Sequence, residues 1–546
     1  MLRNLVRLAF LQAWLSHISA TQYGENHVPV EKDEDLVSVH FPDTDDVLLS
    51  PAFLTPQSVT DGFKNGTDGP TDDATLDKFL RSISDRNDRV DYRQAHFTSE
   101  EGRSFPYVYI SKEPQLSGSK HGKKLRVWIQ GGVHGNEPAG DQAVLALLGK
   151  LDANETWATS LLDKMDIILF PRYNPDGVSY FQRELASNLD PNREHTKLAR
   201  GQSRSIKQLL SSFSPHITVD MHEFTGTRLT GGRYKHGMDA LIAPGKNLNT
   251  HRDIRNISET LFASGIGKRL EAAGFRWDPY FTAASSNAPG ITLAEAGSDA
   301  KAGRNNYGLM QSIVILNEVR GIRLADQHFQ RRVSTALTMV SALLDIALEN
   351  FDEVYSTVEN AIKKFIASTD DIVITDYETL TKRSISFIDV TNGSLVQLPT
   401  NWLSTTPTTA NLTRTRPEAY LIPRTWSDLA IRLKESGVIV ETLDHEYRGT
   451  VEALKITSAS PARAYYEGAI QVTVTTEPHK KEVHLPAGSF RVSTRQKNAA
   501  LAFVTLEPEN IDSYVRFNLI PVQAGDEYPI FRVLPGTAKR SLPVEL

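Results

Sequence analysis

The sequence predicts an α/β domain, a mainly parallel or mixed sheet flanked by helices, followed by a mainly β C-terminal unit. Three observations predict it. Apolar strand-like runs alternate with helical stretches between residues 76 and 365, a long amphipathic repeat closes that region, and beyond residue 366 the pattern turns to two-residue alternation. At 546 residues the chain exceeds one ordinary domain, so two folded units are expected.

Residues 1–20 read as a signal peptide. Arg3 and Arg7 flank an apolar run ending in Ile18-Ser19-Ala20, and Gln12, Ser16 and His17 interrupt it too often for a membrane span. Residues 21–75, rich in Asp, Pro, Gly and Thr with little periodicity, read as a disordered arm or short propeptide. Helical spacing starts at Leu76, Phe79, Leu80 and Ile83, and a strand pair follows at 92–97 and 107–110. Strand-like runs at 125–129, 167–170 and 217–221 then alternate with helices at 142–151 and 206–213. A strand at 312–316 and a helix at 328–350, with Val333, Leu337, Val340, Leu343 and Leu344 on one face, end the domain near residue 365. The unit 366–546 shows one helix at 427–435, strict alternation at Ile470, Val472 and Val474, and short strands expected around Val483, Val492 and Phe503.

Basic and acidic residues nearly balance, 60 against 66, without a long run of either sign. That composition argues against nucleic acid or an anionic membrane surface as partner and for a small or peptidic substrate. No later segment is apolar enough to span a membrane. There is no cysteine, so disulfides and thiolate metal sites are excluded, and any metal must sit on nitrogen and oxygen. Sequons at Asn65, Asn154, Asn256, Asn392 and Asn411 agree with a secreted glycoprotein.

The run at 127–130 passes into Gly131-Gly132-Val133-His134-Gly135-Asn136-Glu137, a glycine-loosened turn with a histidine and a glutamate three residues apart. Both side chains can face one point, which leaves a tetrahedral zinc needing one more protein ligand and an open place for water. His222 ends the apolar run 217–221, and ligands of open α/β sheets gather at the carboxyl ends of strands. His195, His216, His236 and His251 sit in polar, loop-like settings and read as exposed loop histidines. Two acidic residues close apolar runs and compete as general base, Glu295 after 291–294 and Glu318 after 313–317.

The ordered motifs HGNE, NPDG, DPNR, DMH and NEVRG, spread over roughly residues 76–350, resemble the zinc metallocarboxypeptidase family related to carboxypeptidases A and B. The resemblance implies one Zn2+ on His134, Glu137 and His222, with Asp190 of DPNR behind His134. It implies Arg183 as the group that polarises the scissile carbonyl and Asn192-Arg193 as the anchor of a C-terminal carboxylate. It favours Glu318, followed by Val319-Arg320-Gly321, as the base, and leaves Tyr307, the tyrosine nearest before it, to close over substrate. The substrates implied are C-termini of peptides or proteins. Two alternatives stand beside this reading: a zinc deacylase resembling aspartoacylase and succinylglutamate desuccinylase, which Glu295 in Leu-Ala-Glu-Ala-Gly keeps open, and an inactive peptide- or glycan-binding module.

Overall fold

The computed structural model describes residues 23–113, 122–285 and 289–536, so the expected signal peptide lies outside the described residues. In chain order the first strands are Val90–Gln94 (β1), Pro106–Ile110 (β2), Leu125–Gln130 (β3), Met165–Phe170 (β4), Ile217–Phe224 (β5) and Tyr234–His236 (β6). Ala240–Pro244 (β7), Trp277–Pro279 (β8), Phe281–Ala283 (β9), Thr292–Glu295 (β10) and Ile313–Arg320 (β11) follow.

Eight strands form the central mixed sheet in the order β1-β2-β4-β3-β5-β11-β7-β8. Its middle, β4-β3-β5-β11, is parallel, while β2 joins β4 and β7 joins β11 antiparallel. The parallel strands are continuous apolar runs because both faces are covered. Val127, Ile129, Val219 and Ile315 pack with Leu147 of helix Pro138–Ala153 and Val340 of helix Phe329–Glu349, all at most 1% exposed. Pro138 starts its helix at a position where the missing N–H costs nothing, immediately after Glu137.

The C-terminal part contains β12 (Ile372–Asp389) and β13 (Leu395–Arg414), a long antiparallel hairpin. It completes a second sheet, β6-β12-β13-β10-β9, whose other strands come from residues 234–295. Strands on either side of residue 365 thus share one sheet. The remaining strands are Ala419–Ile422 (β14), Glu441–Thr442 (β15), Tyr447–Tyr466 (β16), Ala469–Leu485 (β17), Phe490–Ser493 (β18) and Phe531–Val533 (β19). They form the third sheet, ordered β15-β18-β14-β19-β16-β17.

Several expectations need correction. The segment expected to be a disordered arm is ordered from Tyr23 onward, with short helices Asp35–Ser38, Pro51–Leu54 and Asp61–Asn65. Widely spaced anchors hold it: Val37, Phe41, Leu48 and Phe63 are at most 4% exposed, and Asp33 forms a buried ion pair with Arg320. Docking on the α/β domain, rather than local periodicity, imposes this order. Phe503 lies in helix Ala499–Leu506, whose eight residues are all buried and seven apolar, so no periodicity separates it from a strand. His195 and His216 are 3% and 1% exposed, so neither is a loop histidine in solvent.

Candidate metal centre

Glycine geometry brings two motifs together. A Cβ on Gly135 would lie 1.9 Å from the backbone carbon of Gly177, so the HGNE turn presses directly on the NPDG turn. There Asn174 Oδ1 caps its helix by accepting from Gly177 N–H at 2.9 Å. Asp176 accepts from Ser99 Oγ and Arg103 Nη1, both at 2.7 Å, and ties the turn to the strand pair β1-β2.

His134, Glu137 and His222 converge with their ligand atoms all within 4.8 Å of one another, each at most 3% exposed. His134 Nδ1 lies 2.7 Å from Glu137 Oε1, and His222 Nδ1 lies 2.9 Å from Glu137 Oε2 and 3.1 Å from His134 Nδ1. These separations are about 0.2–0.6 Å shorter than the roughly 3.3 Å expected between ligands of a tetrahedral zinc, so a small outward shift of the side chains would admit the ion. The far nitrogens strengthen the assignment. His134 Nε2 is 3.1 Å from Asp190 Oδ1, and His222 Nε2 is 3.1 Å from Asp220 Oδ2. The Asp190 carboxylate places the His134 proton on Nε2, and Asp220 beside His222 Nε2 favours the same tautomer; two Nδ1 lone pairs turned inward repel unless a cation lies between them. The donor set fits zinc.

The electrostatics agree. Burial would raise Glu137, but His134 and His222 outweigh it and hold the carboxylate well below its usual range. Burial would likewise raise Asp190, and His134 and Arg183 reverse the sign. Burial would lower His222; Asp220 and Glu137 outweigh it and raise its pKa, so a metal bound at Nδ1 must displace a proton.

A cleft of about 260 Å³ opens beside the three residues, lined by His134, Glu137, Arg183, Arg193, Tyr280 and Glu318 and also by Asn192 and Arg304. A larger groove of about 730 Å³, lined by Asn249, Arg255, Lys364 and Arg416, holds none of the metal-binding set. Arg183 donates to Asp190 Oδ2 through Nε (3.1 Å) and Nη2 (2.8 Å), leaving Nη1 3.3 Å from His134 Nδ1 and 3.4 Å from Glu137 Oε1. Asn192 Oδ1 accepts from Gly303 N–H at 2.7 Å, and Arg193 Nη1 donates to the Asn192 carbonyl at 2.9 Å.

Register separates the two candidate bases. On parallel strands Glu318 pairs directly with His222, so its carboxyl stands beside the metal ligands. Its Oε2 is buried without a hydrogen-bond partner among the described residues. Burial pushes the acid up from its ordinary value; His222 opposes the shift and Glu137 reinforces it. Glu295 accepts instead from Lys246 Nζ (3.0 Å), Thr405 N–H (2.9 Å) and Ser404 Oγ (3.1 Å), and does not line the cleft.

Tyr307 is not in the cleft either. It is 1% exposed, its hydroxyl accepts from Gln130 Nε2 at 3.2 Å, and its ring packs on His195. Its place before β11 gives no hint of this, because helix Gly303–Gly308 turns the side chain inward. Tyr280, between β8 and β9, lines the cleft, and burial pushes its phenol up to about 12. No local motif marks it. Asp220, also missed, had a signal: it stands two residues before His222 on one strand, hence on the same face.

The family model described as zinc carboxypeptidase matches residues 76–223. A protein of Trichophyton tonsurans named carboxypeptidase 2 is 52% identical over 518 residues, covering 94% of this chain and 96% of that protein. Its namesake in Trichophyton rubrum is 51% identical over 519 residues, again covering 94% and 96%. Among solved structures, a metallo-carboxypeptidase from Burkholderia cenocepacia aligns with a TM-score of 0.40 and 16% identity, over 52% of this chain and 70% of that one.

Proposed function

The chain belongs to the zinc carboxypeptidase family, and from that premise we propose that it is a secreted exopeptidase whose reaction is carried by Glu318, Arg183, Asn192 and Arg193. It is a zinc metallocarboxypeptidase, a hydrolase acting on peptide C-termini. The observation that carries the residue assignment is the meeting in one cleft of the His134-Glu137-His222 set, a buried carboxyl in register with His222, and two arginines.

His134, Glu137 and His222 would hold the zinc. When bound, zinc supplies a Lewis acid that polarises the scissile carbonyl and lowers the pKa of water toward neutrality. Arg193 and the Asn192 amide bind the terminal carboxylate of the substrate, where a planar guanidinium donates two parallel hydrogen bonds. This fixes the last peptide bond against the metal ligands and excludes chains that lack a free C-terminus. Arg183, held by Asp190, donates through Nη1 to the carbonyl oxygen as it gains negative charge. Glu318 removes the proton from the attacking water, and the resulting acid protonates the leaving amine. Burial favours the neutral acid needed for that second transfer. In this reading Tyr280, which lines the cleft, contacts substrate in place of Tyr307.

Secretion is supported by the N-terminal 20 residues and by the five sequon asparagines, all of which are exposed. Among the described residues no single helix is long and apolar enough to cross a membrane. Nothing favours the deacylase, since Glu295 is committed to Lys246 outside the cleft. Incubating purified protein with blocked dipeptides and with N-acyl amino acids tests the reading. Release of the C-terminal amino acid from the dipeptides is expected, and acid release from acyl amino acids alone would overturn it.

A further inference from the structure

We propose that Glu467, at the tip of the β16–β17 hairpin, is a positioning residue of the active site: the C-terminal sheet carries it in to fix Asp190, and through Asp190 the ligand His134 and Arg183. The inference goes beyond the assigned activity, and Glu467 lies outside the residues 76–223 matched by the family model.

The first argument is local. Tyr466 pairs with Ala469, so Glu467 and Gly468 form a two-residue loop, with φ of 51° and 78°. Positive φ at both positions is the signature of a type I′ turn, where asparagine, aspartate or glycine suits the first position and glutamate does not. Gly468 meets the requirement; Glu467 occupies a left-handed conformation that its own side chain disfavours. Turn chemistry therefore gives no reason for a glutamate there.

The contacts give one. Glu467 Oε2 accepts from the backbone N–H of Asp190 at 2.9 Å, and the Glu467 carbonyl accepts from Lys197 Nζ at 2.7 Å. Lys197 is itself 2.5 Å from Glu194, so the turn that carries Asn192 and Arg193 is gripped on both sides. Asp190 spends its side chain entirely on the active site. Oδ1 faces His134 Nε2 at 3.1 Å and accepts from Asn192 N–H at 2.7 Å, while Oδ2 accepts twice from Arg183. One residue thereby orients a metal ligand, the carbonyl-polarising arginine and the carboxylate anchor, and its backbone donor is held by the C-terminal unit. Tyr466, next to Glu467, interacts with Arg193. The C-terminal unit is thus part of the catalytic apparatus.

The test uses the full chain with Glu467→Asn and Glu467→Gln, measuring Tm, zinc dissociation constant, kcat and KM on a blocked dipeptide. Asparagine suits the turn but is too short to reach Asp190, so Tm should hold or rise while the zinc dissociation constant and KM each rise about tenfold, the low end for losing support behind a metal ligand. Glutamine keeps the accepting oxygen and should restore most of both. Wild-type zinc affinity and KM in Glu467→Asn would overturn the proposal. So would equal losses of Tm in both variants with kinetics that merely follow them, which would make the hairpin a structural brace. A wild-type chain inactive on every peptide would sink the assignment of Glu318 and Arg193, yet zinc affinities would still judge Glu467.

Discussion

Replacing Glu318 with glutamine isolates the proton-transfer step. The carboxyl is 7% exposed, stands beside His222 in strand register, and its Oε2 has no hydrogen-bond partner among the described residues, so an isosteric amide breaks no protein hydrogen bond there. Glu318 is not a member of the ligand set, so zinc content should stay at wild type. An amide accepts no proton from water, and a general base is worth about 10²–10⁴ in rate, or about 3–5 kcal/mol of barrier. We therefore expect kcat on a blocked dipeptide to fall by that factor with KM little changed. Stability supplies an independent sign. Burial raises the folded pKa of Glu318 above its unfolded value of about 4.3. Between those two values the folded state binds the extra proton, so stability falls as pH rises through the window. In zinc-free protein at pH 7, Glu318→Gln removes that cost and should melt no lower than wild type, with the difference closing below about pH 4. A variant that keeps zinc and turns over within about threefold of wild type would refute the reasoning.

Other substitutions address the remaining roles. Arg193→Ala should raise KM about 10- to 100-fold, the worth of a charge-assisted carboxylate pair, with a smaller change in kcat, read from initial rates on one dipeptide series. Asp190→Asn should weaken zinc about 10- to 100-fold in competition with a chelator, because it disturbs the ring orientation of His134. Asp33→Ala leaves Arg320 buried without its partner and should cost about 3–5 kcal/mol in denaturant unfolding. Burial would raise Asp33, but His328 and Arg320 outweigh it and bring it to about 2, so the pair's contribution is present above the unfolded value near 4 and is lost as pH falls through about 2. Glu295→Gln should lower Tm by weakening the Lys246 contact and leave kcat near wild type, the opposite of Glu318→Gln.

The legible parts of the sequence were those in which one local rule and the final burial agree. The apolar runs of β3, β5 and β11 are almost wholly buried, and those of β5 and β11 lead to His222 and Glu318 at the metal site. Helix Ser427–Glu435 likewise forms over the expected residues and buries Leu429, Ala430 and Leu433. The segment before residue 76 failed because its four buried anchors are spread over more than 20 residues and act only against a finished domain. Tyr280 and Glu467 were unreadable for a related reason. Each reaches the site across tertiary contacts, one from between short strands and the other from a hairpin more than 270 residues from Asp190. Glu295 and Glu318 look alike as strand ends; the family resemblance after Glu318 favours one, and pairing with Lys246 in one case and His222 register in the other separates them physically.

Zinc-edge anomalous diffraction from crystals grown with a C-terminal product tests the central claim most directly. The account predicts one zinc per chain, within about 2.0–2.2 Å of His134 Nδ1, Glu137 and His222 Nδ1, with the product carboxylate on Arg193 and Asn192. An anomalous peak elsewhere, or a product carboxylate bound away from Arg193, would contradict it.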